Sequence, residues 1–153
     1  MEKARRKSKI RPTSSLVKQA VFNILGDIEG TLFIDLFAGT GQMGFMAEER
    51  GAKVIFVEKN PKLAKEIEKK TKEKVVISDA LKFLMSFDGT ADIVFADPPY
   101  NYENYQKLIE LAIKILNKGG FFILEHSKKV KFNSDKSKVY GDTVLSIWRK
   151  KDD

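Results

Sequence analysis

Residues 31–44 have the sequence TLFIDLFAGTGQMG. The first half of this stretch is mostly apolar, a pattern that predicts a buried strand. Gly39, Gly41 and Gly44 follow with the spacing G-x-G-x-x-G. This spacing predicts a tight turn into a helix that runs to about Arg50, where a ligand can approach the backbone closely at the helix N-terminus. The stretch therefore predicts a strand, a turn and a helix, with a binding site at the turn.

Strands and helices alternate on both sides of this unit. Further strands are predicted at 53–57, 74–78, 92–96 and 121–124, and helices at 13–26, from Pro61 onwards, at 80–87 and at 102–117. The chain then ends in a predicted hairpin, with strands at 139–140 and 143–148. This order predicts an α/β fold, a doubly wound and mostly parallel sheet that ends in an antiparallel β-hairpin. Ligands bind such sheets at the carboxyl ends of the strands.

The composition limits the class of protein. The chain has 153 residues, of which 42% are hydrophobic, and this suits one domain with a packed core. The absence of cysteine excludes disulfide frameworks and cysteine-ligated zinc, and a single histidine, His126, disfavours histidine-rich metal sites and Ser-His-Asp triads. No apolar run approaches the roughly 18 residues that span a bilayer, and no secretory signal is visible. We therefore expect a cytoplasmic protein without a membrane or metal partner.

The net charge of +7 is concentrated at the two ends of the chain. Residues 1–11 carry a net charge of +5, residues 12–127 of −2 and residues 128–153 of +4. We therefore expect a basic arm at 1–11 and a single domain at 12–153. Basic arms attract nucleic-acid phosphates, although such an arm can also serve only to keep a protein soluble. The candidate RNA-binding residues of the arm are Lys3, Arg5, Arg6, Lys7, Lys9 and Arg11.

Four carboxylates lie at or just before the ends of successive predicted strands, and they belong to Asp35, Glu58, Asp79 and Asp97. In the predicted fold all four border one crevice, where their mutual repulsion is costly unless a ligand with hydroxyl, amino or positively charged groups compensates it. Carboxylates spread along a crevice fit compact Mg²⁺ coordination poorly. The alternative is that each carboxylate only stabilises the N-terminus of the helix that follows it.

Glu58 and the glycine turn fit a cofactor that contains ribose, because a carboxylate in this position accepts both ribose hydroxyls. This leaves NAD and S-adenosylmethionine open, and the sequence Asp97-Pro98-Pro99-Tyr100 distinguishes them. Two prolines hold the Pro98 carbonyl rigidly beside the Asp97 carboxylate, and two adjacent acceptors suit an exocyclic amino group. Tyr100 supplies a flat face for stacking on a base. The alternative is a prolyl turn with no further role.

Several motifs together resemble a known family. DLFAGTGQMG at 35–44, VEKN at 57–60, SDA at 78–80 and ADPPY at 96–100 resemble the Rossmann-like class I S-adenosylmethionine-dependent methyltransferases that modify amino nitrogens. RPT at 11–13, FNIL at 22–25, LEHS at 124–127 and YGDT at 140–143 are similar, more narrowly, to the RsmD-type 16S ribosomal RNA guanine-N2 methyltransferases. The resemblance covers nearly the whole chain. That family usually has a longer β-rich stretch before Arg-Pro-Thr, whereas here ten residues precede Arg11.

The resemblance implies which residues hold the cofactor. Asp35 would lie along the methionine end of S-adenosylmethionine, together with the loop residues Phe37, Ala38, Gly39, Thr40 and Gly41. Glu58, with Lys59 beside it, would bind the ribose. Asp79 and the N–H of Ala80 would face the adenine.

The resemblance also implies a substrate site. Asp97, which also borders the cofactor, and the Pro98 carbonyl, fixed by Pro99, would hold the target amine while Tyr100 stacks on the base. Arg11 and Thr13 would close over the cofactor or touch the flipped nucleotide. The implied partner is ribosomal RNA, within an assembling 30S particle.

Other interpretations stay open. The same chemistry could act on adenine N6 of DNA or RNA or on a protein glutamine, although no separate target-recognition domain fits in 153 residues. The glycine turn alone would suit an NAD-dependent oxidoreductase, and the basic ends alone a non-catalytic RNA-binding module. His126, just beyond the fifth predicted strand, is either a proton acceptor or a structural hydrogen-bonding residue. Trp148 is expected in the core.

Overall fold

A computed structural model describes residues 14–151 of the chain. The helices are α1 (Ser15–Leu25), α2 (Gln42–Glu49), α3 (Pro61–Glu68), α4 (Ala80–Ser86) and α5 (Tyr105–Lys114). The strands are β1 (Leu32–Leu36), β2 (Lys53–Glu58), β3 (Lys74–Ile77), β4 (Ala91–Ala96), β5 (Leu116–Ser127), β6 (Lys136–Tyr140) and β7 (Thr143–Arg149). The predicted arm and the Arg11-Pro12-Thr13 sequence lie outside the described residues, so the division into arm and domain stays a prediction.

The seven strands form one sheet in the order β3-β2-β1-β4-β5-β7-β6. The first five strands are parallel, and β7 is antiparallel to both β5 and β6. This confirms the predicted doubly wound sheet and its terminal hairpin. The strand order reverses between β1 and β4, because β2 and β3 lie on one side of β1 and the later strands on the other. Sheets of this kind bind ligands at such a reversal.

The core has two layers, one on each face of the sheet. Side chains of α1, α2 and α3 pack on one face, around the fully buried Phe33 and Phe56. Side chains of α4 and α5 pack on the other face, around Phe122 and Leu124. Trp148 is buried on this second face and stacks on Phe122 with ring centroids 5.4 Å apart. The prediction that Trp148 lies in the core is therefore confirmed.

Helix starts follow the sequence closely. The Ser14 hydroxyl accepts a hydrogen bond from Val17 N at 3.2 Å, which caps α1. Asn60 caps α3 in the same way, and Pro61 occupies its first position as predicted. Among residues 14–151, no helix is both long enough and apolar enough to cross a membrane.

The predicted end of the helix at 102–117 and the predicted start of the strand at 121–124 were wrong. Helix α5 begins only at Tyr105 and ends at Lys114, and β5 already begins at Leu116. Leu116 is buried and pairs with Ala91 of β4. It therefore belongs to a strand and not to the end of a helix. An apolar residue satisfies either pattern, so periodicity alone does not separate a helix end from a strand start.

Gly44, in the first turn of α2, allows this helix to lie directly against β2. A Cβ atom at this position would overlap the ring of Phe56, whose neighbours leave it no exposed surface. The third glycine of the G-x-G-x-x-G spacing therefore serves close packing between helix and strand.

We expect Gly44→Ala to lower the free energy of unfolding by about 1–3 kcal/mol, because the added methyl group overfills a packed core. Denaturant unfolding followed by circular dichroism measures this change. Glu49→Ala, an exposed change in the same helix, is the matched control and should stay within about 0.5 kcal/mol of wild type. Equal stability of Gly44→Ala and the control would contradict the packing argument.

Candidate active site

The four predicted carboxylates follow one another along the carboxyl edge of β1 to β4. Asp35 lies one residue before the end of β1, and Glu58 is the last residue of β2. Asp79 comes two residues after β3, and Asp97 directly after β4. Because Leu36 pairs with both Val57 and Ala96, the positions of Glu58 and Asp97 are level across the sheet. The structure therefore brings these residues to one edge, at the reversal of strand order.

Asp35 is the most deeply buried of the four carboxylates, with 2% of its surface exposed. Its Oδ2 accepts a hydrogen bond from Gly44 N at 3.0 Å, in the first turn of α2. Burial raises the pKa of Asp35 well above its ordinary value; the Gly44 bond opposes this, and the charges of Asp97 and Glu58 add to it. Such a shift, arising from burial beside like charges, is typical of a functional site.

Glu58 fastens the glycine turn to the sheet. Its Oε1 accepts from Gly39 N at 2.7 Å, and its Oε2 accepts from Asn60 N at 2.9 Å. Each oxygen keeps a further lone pair, so hydroxyl groups of a ligand can still donate to this carboxylate. The turn is strained at Phe37, the one non-glycine residue among those described with a left-handed backbone, at φ 57°. Glu58 thus combines a structural role with the capacity to bind a ligand.

Helix stabilisation accounts for part of the carboxylate pattern. Asp79 is exposed and caps α4, because its Oδ2 accepts from Lys82 N at 3.1 Å. Asp35 similarly satisfies an amide of the first turn of α2, where the N-cap Gly41 has no side chain to do so. The hydrogen bond of Asp79 therefore agrees with the alternative interpretation, in which this carboxylate stabilises the N-terminus of a helix. That interpretation does not explain why Asp35 and Glu58 are buried beside each other.

The other predicted cofactor residues surround the same edge. Ala80 is the buried first residue of α4. Ala38 donates through its N–H to Val57 O at 3.0 Å, and Gly41 closes the turn by donating to Ala38 O at 2.8 Å. Thr40 and Lys59 are exposed. The structure thus places the predicted cofactor residues along the carboxyl edge of β1 to β4, where the side chains of Thr40 and Lys59 are exposed.

The sequence Asp97-Pro98-Pro99-Tyr100 forms a loop above β4. Pro98 is buried, whereas Tyr100 has 81% of its surface exposed. Pro99 O accepts from Tyr102 N at 2.9 Å, which closes a turn. Tyr100 is therefore held out from the protein surface, where a planar group can stack on it. Of the predicted RNA-contact residues, Tyr100 alone is described; Lys3, Arg5, Arg6, Lys7, Lys9, Arg11 and Thr13 lie outside residues 14–151.

Tyr102 was not predicted as a site residue, because the sequence pattern placed it at the start of a helix. Tyr102 lies in the loop before α5 and makes edge contacts with Phe37 and Tyr105, each with ring centroids 5.3 Å apart. Its hydroxyl oxygen is the one buried side-chain polar atom in residues 14–151 that lacks a hydrogen-bond partner. Burial, and then the charge of Asp79, raise the pKa of Tyr102 to about 12. A buried donor without a partner is uncommon in proteins, and an ordered water or a bound polar group is the usual explanation.

His126 has a structural role. It lies within β5, not beyond it, and only 7% of its surface is exposed. Its Nδ1 is 2.8 Å from Ser127 O and its Nε2 is 2.7 Å from the Ser146 hydroxyl. Because a carbonyl only accepts, Nδ1 carries the proton and Nε2 accepts from Ser146. Burial lowers the pKa of His126, against the opposing Ser127 bond, so both nitrogens of a neutral ring are occupied.

We expect Asp35→Asn to raise the melting temperature at pH 8, by about 2–4 °C for each kcal/mol gained. The folded-state pKa of Asp35 is raised, so wild-type stability falls as the pH rises from about 4, where the unfolded side chain loses its proton. The gain should therefore be smaller at pH 5 than at pH 8 in thermal melts. Asp88→Asn, at an exposed carboxylate, is the control. A gain that is equal at both pH values would contradict the assignment.

Comparison with known proteins agrees with this geometry. The family model described as "Conserved hypothetical protein 95" matches residues 3–149. The Bacillus subtilis protein named "Putative rRNA methyltransferase YlbH" is 29% identical over 166 residues, covering 92% of this chain and 88% of that protein. The Haemophilus influenzae ribosomal RNA small subunit methyltransferase D is 33% identical over 119 residues. That match covers 70% of this chain and 60% of that protein, so the chain spans less than two thirds of this relative.

The fold is also that of a solved methyltransferase. The structure of the T. thermophilus 16S rRNA N2 G1207 methyltransferase (RsmC), in complex with AdoMet and guanosine, has a TM-score of 0.76 to this chain. At 19% sequence identity it covers 92% of this chain and 44% of that chain. This similarity confirms the predicted Rossmann-like class I fold. The family match likewise favours a methyltransferase over an NAD-dependent oxidoreductase. The chain belongs to the family described as conserved hypothetical protein 95, and its predicted resemblance to the RsmD-type, S-adenosylmethionine-dependent methyltransferases is confirmed.

Proposed function

We propose that this protein transfers a methyl group from S-adenosylmethionine to the exocyclic N2 amine of a guanine in small-subunit ribosomal RNA. The observation that carries the proposal is the loop that begins at Asp97. It follows β4 at the reversal of strand order, beside the buried Asp35, and it exposes Tyr100 to solvent. The relatives support methylation of ribosomal RNA in general. The choice of the guanine amine is supported by the resemblance to the RsmD-type guanine-N2 methyltransferases and by this loop.

The residues of the carboxyl edge fit S-adenosylmethionine. Asp35 and the turn from Phe37 to Gly41 would hold its methionine end, and the Glu58 carboxylate would accept from the ribose hydroxyls. Asp79 and Ala80 would face the adenine, near the orphaned hydroxyl of Tyr102. An unpaired donor there is costly without a ligand, and this favours a bound polar group. When bound, S-adenosylmethionine supplies a methyl group on a positively charged sulfur.

Asp97 and the Pro98 carbonyl would orient the target amine. The amine of guanine is a poor nucleophile, because its lone pair is delocalised into the ring. Accepting both N–H groups at adjacent acceptors favours a more pyramidal nitrogen and directs its lone pair along one line. Catalysis then rests mainly on positioning, with Asp97 stabilising the positive charge that develops on nitrogen. No strong base is required before attack, because the nitrogen becomes acidic only as it gains the methyl group, and its proton can then pass to the Asp97 carboxylate. This agrees with a His126 whose two nitrogens are already engaged.

Tyr100 would stack on the target base after that base has left its own stack. Unstacking costs less in loops and at ends of RNA than in a duplex, so exposed single-stranded segments are the favoured substrates. An assembling 30S particle presents such segments in a fixed shape. Action on ribosomal RNA in that particle would place the reaction in the cytoplasm.

The proposal is tested with S-adenosylmethionine that carries a tritiated methyl group. The protein is incubated with 30S particles or with naked 16S RNA from cells that lack the modification, and the digested RNA is analysed for the labelled nucleoside. We expect N2-methylguanosine, and the better substrate of the two shows when in assembly the protein acts. Label on adenine N6, or in protein, would replace the guanine assignment. No transfer to either RNA substrate would overturn the proposal.

Asp97→Asn should lower kcat for methylation at least 100-fold, a loss typical of removing one preorganised electrostatic contact. The affinity for S-adenosylhomocysteine, measured by calorimetry, should change less than about 3-fold (under 1 kcal/mol). Glu103→Gln, at an exposed carboxylate in the same loop, is the matched control and should leave both quantities unchanged. Losses of equal size in kcat and in cofactor affinity would argue against a role of Asp97 on the target amine.

Tyr102→Phe should weaken S-adenosylhomocysteine binding roughly 2- to 10-fold, because a hydrogen bond is worth about 0.5–1.5 kcal/mol net. The melting temperature of the free protein should stay the same or rise, since the variant removes a buried hydroxyl that has no partner. Tyr105→Phe, in the neighbouring ring, is the control. Unchanged affinity in Tyr102→Phe would show that the hydroxyl does not face the cofactor.

A further inference from the structure

Three lysines project from the segment that follows β5. Lys128, Lys129 and Lys131 are exposed, and we call them the lysine cluster. Asp142 is the one carboxylate with an ion pair to this cluster among residues 14–151, at 3.8 Å from Lys128 Nζ, and 97% of its side chain is exposed. Such an exposed pair contributes little, so the cluster keeps most of its positive charge toward solvent.

The lysine cluster lies at the same carboxyl edge of the sheet as the loop at 97–104, which we call the target loop. Strands β4 and β5 are parallel neighbours, and Ala96 pairs with Leu124. Asp97 is therefore level with Glu125, and Ser127 lies two residues further along. At the rise of a strand this is about 7 Å along β5 from the level of Asp97. The lysines begin at the next residue, so they follow β5 at the same carboxyl edge of the sheet as Asp97.

The backbone of this segment is held in place. Lys128 N donates to Asp142 O at 3.1 Å, in the turn between β6 and β7. Lys129 N donates to the Ser127 hydroxyl at 3.0 Å. A positive surface whose backbone is already ordered loses less conformational freedom when it binds a ligand.

Aromatic packing couples the lysine cluster to the target loop. Phe132, one residue after the cluster, packs on Tyr105 with ring centroids 5.1 Å apart and on His126 at 4.8 Å. Tyr105 in turn contacts Tyr102, which lies in the loop that carries Asp97 and Tyr100. The backbone that carries the lysines is therefore joined by side-chain packing to the loop that carries Tyr100.

We propose that the lysine cluster binds the phosphates of the RNA strand that flank the target base; this rests on the proposed function. Lysine ammonium groups bind phosphate oxygens without regard to sequence, and such contacts set the position of a strand. Tyr100 would stack on the extruded base while the neighbouring phosphates lie on the lysines. The surface therefore positions the substrate and takes no part in the methyl transfer itself.

The test replaces the three lysines together, as Lys128→Gln, Lys129→Gln and Lys131→Gln. The probe is a fluorescent single-stranded RNA of about 12 nucleotides that contains guanine, with binding followed by anisotropy across a salt series. Three lost phosphate contacts should reduce the slope of log affinity against log salt by about 2, since each contact contributes about 0.7 for single strands. Between 50 and 200 mM salt, a slope smaller by about 2 means that the affinity of the variant should fall roughly 16-fold less than that of wild type. At 50 mM salt KM for RNA should rise by the same factor as the dissociation constant, while kcat stays near that of wild type.

The matched control makes the same change in charge at the amino ends of the strands, opposite the carboxyl edge. Its substitutions are Lys53→Gln, Lys72→Gln and Lys74→Gln. Lys53 and Lys74 begin β2 and β3, and all three side chains are exposed. This control should keep the wild-type salt slope, and an arginine version of the lysine cluster should restore it. Equal losses in the two glutamine variants would show that net charge alone matters, and an unchanged slope in the cluster variant would overturn the inference.

Affinity for S-adenosylhomocysteine separates this result from a failure to fold, and it should be unchanged in both variants. The outcome is also distinct from a failure of the proposed function. If the wild-type protein labelled no RNA, the methyl-transfer proposal would fail whatever the salt slopes were. If it labelled guanine N2 and the cluster variant bound and reacted as wild type, only the inference about the lysines would fail.

Discussion

A carboxylate at the end of β1 and another at the end of β2 hold the glycine turn against the sheet. Asp35 binds the Gly44 amide and Glu58 binds the Gly39 amide. Both carboxylates are buried, so each hydrogen bond from an amide N–H forms in a medium of low dielectric. In such a medium a polar contact is strong, and an unpaired polar group costs more free energy than in water. The geometry of the turn, the start of α2 and the placement of Phe37 all depend on these two contacts.

The carboxylates that make these two contacts also place a local excess of negative charge at this edge of the sheet. Burial and the neighbouring charges of Asp97 and Glu58 raise the pKa of Asp35, so its surroundings in the protein disfavour its charged form. A ligand that brings hydroxyl groups and positive charge relieves this repulsion. The repulsion among these carboxylates therefore lowers the folding stability of the free protein, and ligand binding restores it. This balance between stability and binding is usual at functional sites.

The sequence was most informative where one residue type was required by the backbone or by packing. The glycine spacing, the helix start at Pro61 and the two residues between the strands of the terminal hairpin all correspond to elements of the structure. The four carboxylates were found because strand ends in a parallel sheet meet at one edge.

The failures have a common cause, which is that their signals are not local. Leu116 suits a helix or a strand, and only its pairing with Ala91 decides between them. The ring of Tyr102 packs against Phe37, 65 residues earlier in the chain, and the Nε2 bond of His126 depends on Ser146 in β7. Contacts between distant segments cannot be read from residue patterns within a short window.

The two edges of the sheet have a consequence for solubility. Strand β3, at one edge, has four residues and begins with Lys74; strand β6, at the other, has five residues and carries Lys136 and Lys138, both exposed. Unpaired backbone groups on an edge strand can template pairing with another chain, and short strands with lysine side chains oppose this. Both exposed edges of the sheet therefore oppose pairing with the sheet of another molecule.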